Sequence, residues 1–146
     1  MQTPLRRLEG ITYWVIEDPE AIHDFINKEI RKEWMADAES EGRNPAHDAW
    51  LQALPKRKWR LEILEVEKIE LNPRIMNYVD AQRCYSFAVE LEKRGRELRQ
   101  AIETYSAAIW PLIVGTEDMQ LVDGYCRYIA LKAIRVTKCY SYIGSQ

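Results

Sequence analysis

Apolar positions along this chain recur with two periods, and the switches between them mark out its elements. ITYWVIED (Ile11 to Asp18) crowds β-branched and aromatic residues together and predicts a strand. DPEAIHDFINKEIRKEWMADAES follows, with Asp18 as N-cap, Pro19 at the first helical position and Glu20 next. Ala21, Ile22, Phe25, Ile26, Ile30 and Trp34 then return at helical spacing, which predicts a helix with one apolar stripe. A break at Gly42 leads into a short helix that starts at Asn44 or Pro45 and ends near Pro55.

Lys58 to Leu71 reads as a strand carrying Leu61, Ile63 and Val66, with a bend before KIELNPR. The stretch from Asn72 to Ala108 is helical for most of its length, with Gly95 a break or kink and Met76, Val79, Cys84, Phe87, Ala88 and Leu91 toward a core. WPLIVG is a short apolar strand, TEDMQ a turn and LVD a second strand. GYCRYIALKAI then reads as a helix and TKCYSYIG as a closing strand. The expected architecture is one α+β domain over 1–146, in which 1–57 form a strand and helical extension and 58–146 the core.

Composition narrows the function classes. The 146 residues carry a net charge of only -2, which disfavours a general nucleic-acid binder, although a local basic patch stays open. PKRKWR (Pro55 to Arg60) is such a patch, a cationic run with a tryptophan that could touch phosphates and stack a base; Lys56 to Arg60 is therefore a candidate nucleic-acid contact. Three scattered cysteines, Cys84, Cys126 and Cys139, make neither a disulfide framework nor a zinc site. No apolar run reaches the roughly 18 residues of a membrane span and no secretory leader is visible, so a cytoplasmic location is expected.

The chemistry concentrates at LVDGYCRYIA, where a strand hands over to a helix. A glycine there lets the backbone turn and a ligand approach, and the first helical turn leaves N–H groups facing outward. Arg127, three residues after Gly124, can grip a phosphate with two parallel hydrogen bonds. Asp123 is placed to cap the helix, to hold a magnesium ion or to accept a proton. An ordinary reading competes: an acid cap, a glycine turn and a solvated arginine.

The order KIELNPRI, helix, WPLIVG, turn, QLVDGYCRYIALKAI and closing strand resembles the ParB N-terminal domain and sulfiredoxin superfamily, over Leu61 to Ile143. That resemblance implies a ParB/sulfiredoxin-like small mixed sheet with packed helices and a phosphate pocket between the corners Asn72–Arg74 and Asp123–Arg127. It also implies a nucleoside di- or triphosphate with magnesium as cofactor. Gly124, Tyr125, Cys126, Arg127 and Asn72 would hold the nucleotide, Asp123 the metal, and Asp123 and Arg74 would be catalytic. Sulfiredoxins carry a cysteine directly after the glycine; Tyr125 stands there, so sulfinic-acid reduction is not expected. The free serine kinases of this fold have Asp-Gly-His-His-Arg, of which only the Asp-Gly-x-x-Arg frame is kept. Partition ParB proteins need a further Glu-Asn-x-x-Arg box and a helix-turn-helix, and neither occurs up to Gln146. The expectation is a stand-alone nucleotide-pocket domain that hydrolyses a nucleotide or transfers a phosphoryl group. The alternative is a non-catalytic module of the same fold that binds DNA or protein.

Overall fold

A computed structural model of the chain describes residues 4–40, Gly42, Asn44, Ala46, 49–71 and 85–146, with backbone alone for 49, 50 and 85–90. The expected core side chains Met76, Val79, Cys84, Phe87 and Ala88 lie outside what is described. An antiparallel hairpin, β1 (Leu5–Leu8) and β2 (Ile11–Trp14), opens the described chain. Helix α1 (Pro19–Phe25), a π-turn (Ile26–Ile30) and α2 (Arg31–Ser40) follow, then α3 (Ala49–Ala53), tightening to a 3-10 turn over Leu54–Lys56. Strand β3 (Lys58–Glu65) comes next, then α4 (Tyr85–Tyr105), β4 (Leu112–Gly115), β5 (Leu121–Asp123), α5 (Tyr125–Ile134) and β6 (Lys138–Ser145).

The fold is α+β, as the sequence suggests. Its main sheet runs β3-β6-β4-β5, with β6 antiparallel to β3 and parallel to β4, and β5 antiparallel to β4. Period-two alternation divides the core between the two faces. Ile113, Val122, Tyr142 and Trp59 meet Ile22, Ile26, Ile30, Leu51 and Leu54 from the N-terminal helices. Leu112, Val114, Leu121, Cys139 and Ile143 meet the hairpin residues Ile11 and Tyr13 together with Ile102, Ala130 and Leu131 from α4 and α5. Because β4 is covered on both sides, its four residues are all buried and read as one apolar run. The N-terminal helices thus form a full layer of the core.

The expected start of the first helix is seen in detail: Asp18 Oδ2 accepts from the Ala21 amide at 3.0 Å, and Pro19 opens the first turn. The stripe Ile22, Ile26, Ile30, Trp34 steps by four, which overshoots the 3.6-residue turn of an α-helix. The wider π-turn absorbs that overshoot and keeps the stripe on the sheet.

Three expectations are corrected. The strand placed at Ile11–Asp18 ends at Trp14; beyond it Val15 donates to the Pro4 carbonyl and Ile16 to the Tyr142 hydroxyl. The strand expected to run to Leu71 ends at Glu65 in a 3-10 turn, and Glu70 then bridges to Gln120 beside β5. Gly95 does not break α4, which runs on past it. A Cβ at Gly95 would lie 2.7 Å from Ile129 Cγ2, so the glycine is there to let α4 and α5 approach closely.

Gly95→Ala is therefore expected to destabilise the protein by about 1–2 kcal/mol, although the same change in an open helix interior is stabilising. Ile129 is β-branched and stiff, so its methyl has little freedom to yield. A lowered urea midpoint checks this; a raised midpoint contradicts it.

Candidate functional site

The corner after β5 is built on backbone geometry. Gly124 has φ +106°, a left-handed conformation that favours glycine, and it is the N-cap residue of α5. Its carbonyl accepts the first helical bond, from the Tyr128 amide at 2.8 Å. No side chain caps the helix, so Asp123 does not fill the capping role open to it from sequence.

Asp123 and Arg127 do come together, and they hold one another. Arg127 Nη2 donates to Asp123 Oδ2 at 3.0 Å. Its Nη1 donates to two backbone carbonyls just before β4, Trp110 at 3.1 Å and Pro111 at 3.0 Å. The other carboxylate oxygen of Asp123 accepts from Trp34 Nε1, also at 3.0 Å. Side-chain exposure is 16% for Arg127 and 25% for Asp123, so the pair is partly shielded rather than solvated. The solvated-arginine reading is thereby replaced by a clasp that joins three segments: α2, the lead into β4, and the β5–α5 corner.

Tyr125 and Cys126 turn inward. Tyr125 Oη donates to the Leu121 carbonyl at 3.1 Å, and Cys126 Sγ lies 3.9 Å from the Leu91 carbonyl on α4. Glu33 of α2 is close enough to feel this pair, its carboxyl held above the usual carboxylate range by partial burial and by the negative charges of Asp123 and Asp37. Asn72 and Arg74, the residues expected at the facing corner, lie outside the described residues.

A magnesium ion does not fit the described part of this site. Both oxygens of Asp123 are engaged by protein donors, and among the described residues no group of three or more His, Cys, Asp or Glu side chains is arranged to hold a metal.

The basic run is also corrected. Arg57 is buried, donating through Nη1 to both oxygens of Glu117 at 3.0 and 3.1 Å and to the Gly144 carbonyl at 3.0 Å. Trp59 is 3% exposed, and its ring lies across Gly144, where a Cβ would come within 2.6 Å of it. Trp59 is thus a core residue with no face free for a base, and Arg60 pairs with Glu62 at 2.6 Å.

Sequence reasoning missed an aromatic group beside the clasp. Phe25 stacks on Trp110 with centroids 4.5 Å apart, and Trp14 lies 5.6 Å from Trp110 on a tilted plane. Each of these residues has an ordinary place in its own local pattern. Only tertiary structure brings them together with the carbonyl that Arg127 holds.

No family model matches the chain, and the comparison with curated proteins returns no match. Among solved structures, the chain is similar to a pNOB8-like ParB N-domain in its C2221 crystal form, with 18% identity and a TM-score of 0.45. That similarity covers 62% of this chain and 31% of the other. A second structure of the pNOB8-like ParB N-domain gives 19% identity and a TM-score of 0.43, again over 62% of this chain and 29% of that one. The chain therefore spans less than a third of the length of either solved structure, and likeness of this grade leaves the site to be argued from its own residues.

Proposed function

We propose that this chain is a non-catalytic binding module that takes the phosphate of a nucleotide near the N-terminal end of α5, with Arg127 alongside as fixed positive charge. The observation that carries this reading is the engagement of Asp123 through both oxygens. A carboxylate that already accepts from Trp34 and Arg127 is poorly placed to take a proton or to ligate a metal, and these are the two roles catalysis would ask of it. The partly positive N-terminal end of α5 supports binding itself, and the space a Cβ at Gly124 would take is filled by the Arg127 guanidinium, which brings its charge to that end of the helix. Arg127 contributes chiefly as a charge, because three acceptors already fix its guanidinium. The phosphoryl-transfer reading suggested by the Asp-Gly-x-x-Arg frame is the weaker one for that reason.

Titration calorimetry with a panel of nucleoside di- and triphosphates, with and without magnesium, tests this alongside a phosphate-release assay. Binding that persists in chelator without turnover is expected. Magnesium-dependent release of phosphate would overturn the non-catalytic reading. An absence of heat across the panel would overturn the nucleotide site altogether.

A further inference from the structure

Strand β3 lies at one edge of the main sheet, with β6 as its only sheet neighbour among the described residues. No other described backbone segment hydrogen-bonds to residues 58–65. The chain leaves that edge after Glu65 and next joins the sheet at Glu70, on the far side beside β5. An eight-residue edge of this kind presents unpaired backbone groups to any strand of suitable pattern.

Its pattern, KWRLEILE, is complementary to itself in one register. A two-fold axis through an antiparallel strand pair keeps each face continuous, so the axis must pass through a residue position. With the axis at Leu61, Arg60 lies opposite Glu62 of the second copy and Glu62 opposite its Arg60. On the other face Leu61 lies opposite Leu61, and Ile63 falls in register with the buried Trp59 of the second copy. Moving the axis to Arg60 or Glu62 sets a like-charge pair face to face, and moving it to Ile63 leaves Arg60 opposite Val66 with no charge partner. Directly opposed side chains on an antiparallel pair interact strongly enough to choose among registers.

The free chain leaves Ile63 and the charged pair of this edge open to solvent. Ile63 is 48% exposed although it shares a face with buried Trp59. Arg60 and Glu62 are 49% and 41% exposed and satisfy each other along the strand. From this charge and apolar complementarity we infer that β3 is a homodimerisation edge, pairing antiparallel with β3 of a second copy about Leu61 to continue the sheet across the two-fold axis.

Sedimentation velocity of the full chain over a micromolar to millimolar series tests it. A concentration-dependent dimer is expected. Arg60→Glu or Glu62→Arg alone should raise its dissociation constant about tenfold or more, since symmetry makes each change act twice. The combined R60E/E62R exchange should return it to near the wild-type value. Ile63→Lys leaves both charges in place and should also weaken the dimer. The in-strand Arg60–Glu62 pair is exposed and contributes little to the monomer, so thermal melting at low concentration should barely move in any variant. A monomer at every concentration overturns the proposal. So does a dimer that ignores the single reversals or is not restored by the exchange, and so does one unaffected by Ile63→Lys.

Discussion

Trp59→Ala should be the most damaging single change among the residues considered, costing about 3–5 kcal/mol. The side chain is 3% exposed and packs in the core between the N-terminal helices and the sheet. Its ring also fills the space above Gly144, directly across the β3–β6 ladder. Its Nε1 donates to the Leu54 carbonyl at 3.4 Å, which ties the turn before β3 to the strand itself. Domains of this size are stable by about 5–15 kcal/mol, so the loss would consume a large share of the total. A fall in Tm of roughly 10 °C or more is expected. Lys58→Ala, on the exposed face of the same run, should stay within about 0.5 kcal/mol of wild type. Were Trp59 instead a base-stacking residue on an open surface, its removal would leave the melting curve in place and abolish nucleic-acid binding. That pattern is the outcome that would contradict its place in the core.

Arg127→Ala should come next, at about 2–4 kcal/mol, from a mechanism of another kind. The change strips the acceptors Trp110 O, Pro111 O and Asp123 Oδ2 of their donor at once. The carboxylate, already partly shielded, keeps only Trp34. Arg127→Lys should recover little, because one ammonium cannot reproduce a planar fork that reaches acceptors in two directions. Cys126→Ser should be mild by comparison, since the contact of its sulfur with the Leu91 carbonyl is long, at 3.9 Å, and serine keeps a donor there. Urea denaturation of the three variants, followed by tryptophan fluorescence, gives the ranking. Stability unchanged in Arg127→Ala, together with lost nucleotide binding, would make Arg127 purely a ligand residue and remove its structural role.

The contrast between these two residues shows what the sequence reveals. Regular elements are legible because their causes are local. Asp18 and Pro19 announce a helix, and the stripe from Ile22 to Trp34 points it at a core. Apolar LIVG and LVD mark strands buried on both faces. The hairpin at the start is less legible. Glu9 and Gly10 both have positive φ, 49° and 81°, as a two-residue turn with matching twist requires. A glutamate is an unusual choice there, and it is held by distant partners: its carboxylate accepts from the Thr137 amide and hydroxyl and from the Lys138 amide. Those hydrogen bonds also keep it more acidic than an ordinary glutamate.

Side-chain direction at the corner is illegible for a similar reason. Spacing places Asp123 and Arg127 on one turn of helix, but Trp34 lies 89 residues earlier and the Trp110 carbonyl belongs to another segment. Nothing local says that the arginine's donors turn inward. The same holds for Arg57, whose carboxylate partner Glu117 sits 60 residues away. A run of basic residues looks solvated until the loop that neutralises it is known.

The central place of β6 has a consequence for how the protein is made. This strand joins β3 on one side to β4 on the other, yet its residues, Lys138 to Ser145, are the last of the described elements to be synthesised. Until they leave the ribosome, β3 has no neighbour in the sheet and β4 and β5 amount to a short ribbon. The stripe of Ile22, Ile26 and Ile30 meanwhile lacks the Tyr142 surface it covers in the finished core. Pairings across such separations form slowly and leave apolar surface open in the interval. The nascent chain is therefore expected to need its apolar helix stripe shielded until β6 emerges, and to become protease-resistant in one late step rather than segment by segment.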